Sequence, residues 1–162
     1  MYPWVVFLHV LSALAFMLAH GSGAAVMFQV RAERDPARIH ALLDLSNAVN
    51  RWVAISALLL LVFGILAGFM GGWWRQGWIW AALAVLVALS ITMTTMGRFY
   101  LDRVRRAIGV ATPADIKANV QPTLLPPDQL LVVLNSGRPW ALGIIGLAGL
   151  AVITWLMILK PF

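Results

Sequence analysis

Residues 52–70 read WVAISALLLLVFGILAGFM, nineteen positions in a row without a charged side chain. As a helix this run rises about 28 Å, close to the roughly 30 Å hydrocarbon thickness of a bilayer. The same signature recurs three times. A first span runs from about Pro3 to Val30, a third over 74–107 with an apolar core at 78–96, and a fourth over 139–159. The second span extends backwards from Trp52 as a polar helical stretch to Pro36, giving 36–70 in all. Short alternating segments that would spell a transmembrane barrel are missing. The reading is all-α: a polytopic membrane protein, one domain over 1–162, built as a four-transmembrane-helix bundle.

Composition agrees. Of 162 residues, 62% are hydrophobic and 11% charged, with a mean hydropathy of +0.87. A soluble domain carries roughly a quarter charged residues, and a small globule has too much surface to hide this much apolar area from water. The opening MYPWVVFLHVLSALAFMLAH has no basic leader, and its apolar run outlasts a signal-peptide core of about 7–15 residues, so it is expected to stay as a membrane helix. There is no cysteine, which excludes disulfides, thiolate metal sites and catalytic thiols.

The net charge of +6 could suggest nucleic acid, but the basic residues sit at the ends of apolar segments, where they meet anionic headgroups. No aromatic-interleaved basic patch is present, so nucleic-acid binding is not expected. The connection between spans one and two holds Arg31, Arg34, Arg38 and Arg51, and that between three and four holds Arg98, Arg103, Arg105, Arg106, Lys117 and Arg138. Only Arg75 and Lys160 lie on the other side. Ten against two predicts, by the positive-inside rule, an inner-membrane protein with both termini on the periplasmic or extracellular side. Tyr2, Trp4, Trp73, Trp74 and Trp78 are expected to form an outer aromatic belt, and Trp52 and Trp140 an inner one.

Local signals mark the helix ends. Asp35 before Pro36 reads as an N-cap, as does Ser136 or Asn135 before Arg138-Pro139; Gly71-Gly72 and Gly109 read as helix stops. Residues 109–137, with Pro113, Pro122, Pro126 and Pro127, read as a cytoplasmic loop carrying a short surface helix in DQLLVVLN. Because lipid tails are as apolar as leucine, the helices need close packing. Stripes of Ala15, Ala19 and Gly23, of Gly64, Gly68 and Gly72, and of Gly143, Gly146 and Gly149 read as contact faces, within the chain or in a homodimer.

His9 and His20 are the ionisable groups at membrane depth, where such groups are costly and turn toward protein. Eleven residues apart, they share a face about 16 Å apart along the axis. Folding spans one and two into a hairpin is expected to bring Asn47 and Asn50 level with His20, with Ser22 bonding its own helix; His40 lies nearer the turn, on a face with Asp44, Asn47 and Arg51. Met93 and Met96 on span three reach similar depth. Three readings follow: imidazole ligation of b-type haem by His9, His20 or His40; copper handling by His9, His20, Met93 and Met96, since thioethers favour Cu(I); or a non-catalytic accessory subunit whose polar groups lock helices. No HExxH, GxGxxG, P-loop or Ser-His-Asp arrangement is present, so no reaction is assigned.

The stretch LHVLSALAFM, Leu8–Met17, resembles the opening helix of the copper-resistance protein D superfamily and of the HemJ-type protoporphyrinogen oxidases, four-span haem proteins. AHG at Ala19–Gly21 and RAERDPARIHALLDLS at Arg31–Ser46 are similar to stretches in uncharacterised members. The chain departs from the pattern in carrying Phe16-Met17 where a tryptophan-glycine pair is expected. The resemblance implies that His9 ligates haem b, for electron transfer with a membrane redox partner or for porphyrinogen oxidation. Topology is directly testable: an alkaline phosphatase reporter fused at either end is expected to be active, and one inserted in loop 109–137 inactive. The reverse pattern contradicts the orientation.

Overall fold

Inside hydrocarbon no water can satisfy backbone amides, so each span must be a continuous helix. The computed structural model describes residues 1–137 and 139–162; Arg138, counted above with the second basic cluster, lies outside the described residues. Four long apolar helices are α1 (Tyr2–Ala32), α2 (Pro36–Gly71), α3 (Gly77–Ala107) and α6 (Pro139–Leu159). Two short ones, α4 (Pro113–Lys117) and α5 (Pro127–Ser136), lie between α3 and α6. No strand occurs among the described residues. The chain is an all-α, multi-pass membrane bundle.

The bundle is two antiparallel pairs, α1 with α2 and α3 with α6, joined more lightly to each other. The α1–α2 turn is built by its acids. Glu33 accepts the Arg34 and Asp35 amides at 2.8 and 3.2 Å, and Asp35 caps α2 by accepting the Ala37 amide at 3.0 Å, with Pro36 in the first turn. Those two amide bonds to Glu33, helped by the nearby Arg38 guanidinium, hold its carboxyl below the usual carboxylate range. At the far end Gly72 closes α2 in a left-handed conformation (φ 67°) that a side chain would resist.

α1, α2 and α3 have 31, 36 and 31 residues, more than the roughly 20 a bilayer needs. The surplus projects at the basic end and builds a core in which Val30, Ile39, Val104 and Leu134 are fully buried. α5 supplies Leu134 and Leu130 to it. The Tyr100 hydroxyl donates to the Leu134 carbonyl at 3.0 Å and the Arg31 guanidinium to the Gly137 carbonyl at 2.9 Å. The region expected as a loop is thus largely ordered. Thr112 and Asp115 form a reciprocal capping box for α4, and Ile108 and Leu124 form an isolated antiparallel bridge. Asp115 also accepts from Arg106 Nε at 2.9 Å. That bond, with those from the Thr112 hydroxyl and amide, pushes the Asp115 carboxyl down to about 2.

At the other end a second cluster joins Trp78, Ile79 and Ala82 of α3 to Leu156 of α6. Between the two clusters most span side chains, such as Leu18, Leu58 and Ile144, point outward, as a lipid-solvated surface requires.

Four expectations need correction. The third span starts at Gly77 rather than 74, because Trp73–Arg75 forms a 3-10 turn. Trp78 is buried at 4% exposure, its indole nitrogen bonded to Gln76, so it is core rather than belt. The Ser136 hydroxyl donates back to the Val133 carbonyl of α5 and, among the described residues, makes no bond to α6. Gly72 is a turn, with nothing within 4 Å of an added Cβ, so it is not part of a contact stripe.

Candidate functional site

Small residues admit large ones in this bundle, and two glycines admit the two intramembrane histidines. His9 lies over Gly64 of α2, where an added Cβ would come within 2.9 Å of its Cε1 and 3.1 Å of its Nδ1. Nδ1 sits 3.1 Å from the Leu60 carbonyl oxygen. A carbonyl only accepts, so the bond requires the proton on Nδ1 and leaves the lone pair on Nε2. The bond ties α1 to α2.

His20 faces elsewhere. Its ring stacks on Phe16, centroids 5.9 Å apart and planes 20° apart. Its Nε2 comes 2.8 Å from where a Cβ on Gly146 of α6 would lie, and the Met93 methyl of α3 comes within 3.2 Å of the same point. Imidazole and thioether side chains from two helices therefore converge on a notch in a third. The His20 ring has no hydrogen bond among the described residues, and it is half-buried.

This corrects the expected His20–asparagine pairing. Gly23 meets Val49 at 3.6 Å and His9 meets Leu60, so His20 is level with α2 just past Val49, nearer Asn50 than Asn47. Its ring nevertheless points at α6. Asn47 accepts from Arg105 at 2.8 Å, and Asn50 is exposed. Ser22 donates to its own helix at the Leu18 carbonyl, 2.9 Å away. His40 is exposed, 3.3 Å from Asp44, in a surface pair far from the bundle interior. Met96 is exposed and lines a separate recess with Met27 and Phe99.

Of the residues singled out from sequence, the fold brings together His20 and Met93 and leaves His9, His40 and Met96 apart. Three residues that complete the arrangement were not singled out as site residues: Phe16 under the His20 ring, and Gly146 and Gly64 as seats. Both glycines belong to the small-residue stripes, but spacing along one helix does not say which neighbour a gap receives. Among the described residues no three His, Cys, Asp or Glu come together. Compared with family models, with curated proteins and with solved structures, the chain matches none.

Gly64→Ala is expected to push the His9 ring off its seat and weaken its bond to Leu60, costing about 1–3 kcal/mol as overpacking does. Adding His9→Ala should recover most of the loss. Unfolding equilibria in mixed micelles measure both; full stability in Gly64→Ala contradicts the seat.

Proposed function

We propose that this membrane protein handles a soft monovalent cation, copper as Cu(I), on the His20–Met93 pair inside its bundle. The observation that carries the reading is the convergence of His20 Nε2 and the Met93 side chain on the Gly146 notch. Nitrogen of imidazole and sulfur of thioether are the donor types that select Cu(I). Both are neutral. In a low-dielectric interior the cost of burying an ion grows with the square of its charge, so neutral donors suit a monovalent ion better than a divalent one. Methionine's three rotatable bonds let its sulfur turn toward the imidazole without moving the helix. His9, with its lone pair on Nε2, is the second station, about 16 Å along the same helix. The ion is cargo, and no covalent step is required of the chain.

The proposal takes both ends to face outside the inner membrane, on the ten-to-two arginine and lysine asymmetry.

Haem b is the second reading, implied by the resemblance to HemJ-type proteins. One observation favours it: histidine ligands commonly donate their other ring nitrogen to a carbonyl, as His9 does to Leu60. A second axial imidazole is not offered to His9 within one chain, since His20 turns to α6 and His40 to Asp44. A sixth ligand would have to come from another copy. Gly64, Gly68 and Gly146 are filled by His9, Trp74 and His20 of the same chain, so a homodimer has the helix glycines Gly21, Gly97 and Gly143, with open space beside them, to use.

The test is Cu(I) titration of nanodisc-held protein against a chromophoric chelator, with a parallel absorption spectrum after expression with added haem. One Cu(I) per chain is expected, lost in His20→Ala and weakened at least tenfold (about 1.4 kcal/mol) in Met93→Leu. Absence of Cu(I) binding, or binding indifferent to both changes, overturns the reading. A Soret band lost in His9→Ala establishes the haem alternative instead.

A further inference from the structure

We propose that a groove along α3, from Met96 to Arg106, holds one anionic phospholipid, its phosphate on Arg103 and an acyl chain against Met96 and Phe99. Met96, Phe99, Arg103 and Arg106 follow i, i+3, i+7 and i+10, one stripe of the helix. Two open recesses meet along this stripe. The smaller, about 260 Å³, is bounded by Met27, Met96, Phe99 and Leu142. The larger, about 540 Å³, is bounded by Arg106, Thr123, Leu125 and Val132. Arg103 and Ser136 line both.

Depth matches a lipid. Seven residues separate Met96 from Arg103, about 10 Å along the axis. The headgroup layer is roughly 5–8 Å thick on each face of a bilayer. Met96 ends the apolar core of the third span, so the Arg103 backbone stands about 10 Å past the hydrocarbon edge, at the outer rim of that layer, from which its long side chain reaches back to the phosphates. Phe99, 75% exposed, presents its ring to whatever fills the smaller recess.

Charge selects the headgroup. Arg105 is bound to Asn47 and faces Asp102 at 3.8 Å, and Arg106 is bound to Asp115, whose low-lying carboxyl stays ionised. Arg103 has no carboxylate or hydrogen-bond partner among the described residues. A cation left uncompensated beside an apolar slot fits an anionic lipid better than a zwitterionic one, whose ammonium would approach the same guanidinium. The Thr123 hydroxyl, which lines the larger recess, gives the phosphate or glycerol oxygens a further donor.

Native mass spectrometry of the full chain, released from nanodiscs of phosphatidylglycerol and phosphatidylcholine with identical acyl chains, tests the site. One phosphatidylglycerol is expected to be retained in preference to phosphatidylcholine. Arg103→Gln should cut that preference about fivefold, the effect of about one near-surface arginine. Arg98→Gln, which removes an exposed α3 arginine outside both recesses, should leave it unchanged. Ser136→Phe fills the recesses without altering charge and should abolish retention. Equal retention of the two lipids, equal losses in Arg98→Gln and Arg103→Gln, or full retention in Ser136→Phe each overturn the proposal. Displacement by excess glycerol 3-phosphate does so too, because the headgroup alone would then suffice.

Discussion

A bilayer gives an imidazole nothing to bond with, so each intramembrane histidine must be seated in protein, and in this chain the seats are glycines. Gly64 lets His9 reach the Leu60 carbonyl, and Gly146 lets His20 reach between α3 and α6. A methyl group at either position would occupy the space the ring now fills. Helix contacts in lipid rest on close approach rather than on hydrophobic drive, so these gaps also hold the bundle's middle together. α1 is the shared element: its upper histidine docks on α2 and its lower one on the α3–α6 pair.

Packing is distributed accordingly. The strongly buried clusters lie at the two ends, one built by surplus helix length and α5 on the basic side, the other by Trp78 and its neighbours. Water at the basic end restores the ordinary hydrophobic effect, at about 25 cal/mol per Å² of apolar surface buried, and there Val30, Ile39 and Leu134 vanish from the surface. The membrane middle holds few fully buried side chains, and His9 and His20 stand there. The candidate site therefore lies where fewer side chains are buried.

Much of this architecture was legible in the sequence. Apolar runs gave the four spans, and Asp35-Pro36 and Gly72 gave the ends of α2, because length and capping are local properties. The order in 109–137 was harder to see: prolines break helices, but Thr112, Asp115 and Arg106 stitch the segment through contacts made only in three dimensions. Depth along the helices was nearly right, with Asn50 close to level with His20. Direction was not, because the side of a helix that meets α2 rather than α6 depends on crossing angles that no single helix encodes. Arg105 taking Asn47 shows the same thing: the amide's partner comes from a third helix.

The account stands on the orientation of His20. Solid-state NMR of the chain in bilayers, with labelled histidine, glycine and methionine, reads it directly through dipolar transfer. Transfer from the His20 ring nitrogen to the Gly146 Cα and the Met93 methyl is the predicted result. Contact of that ring with acyl-chain protons alone would contradict it.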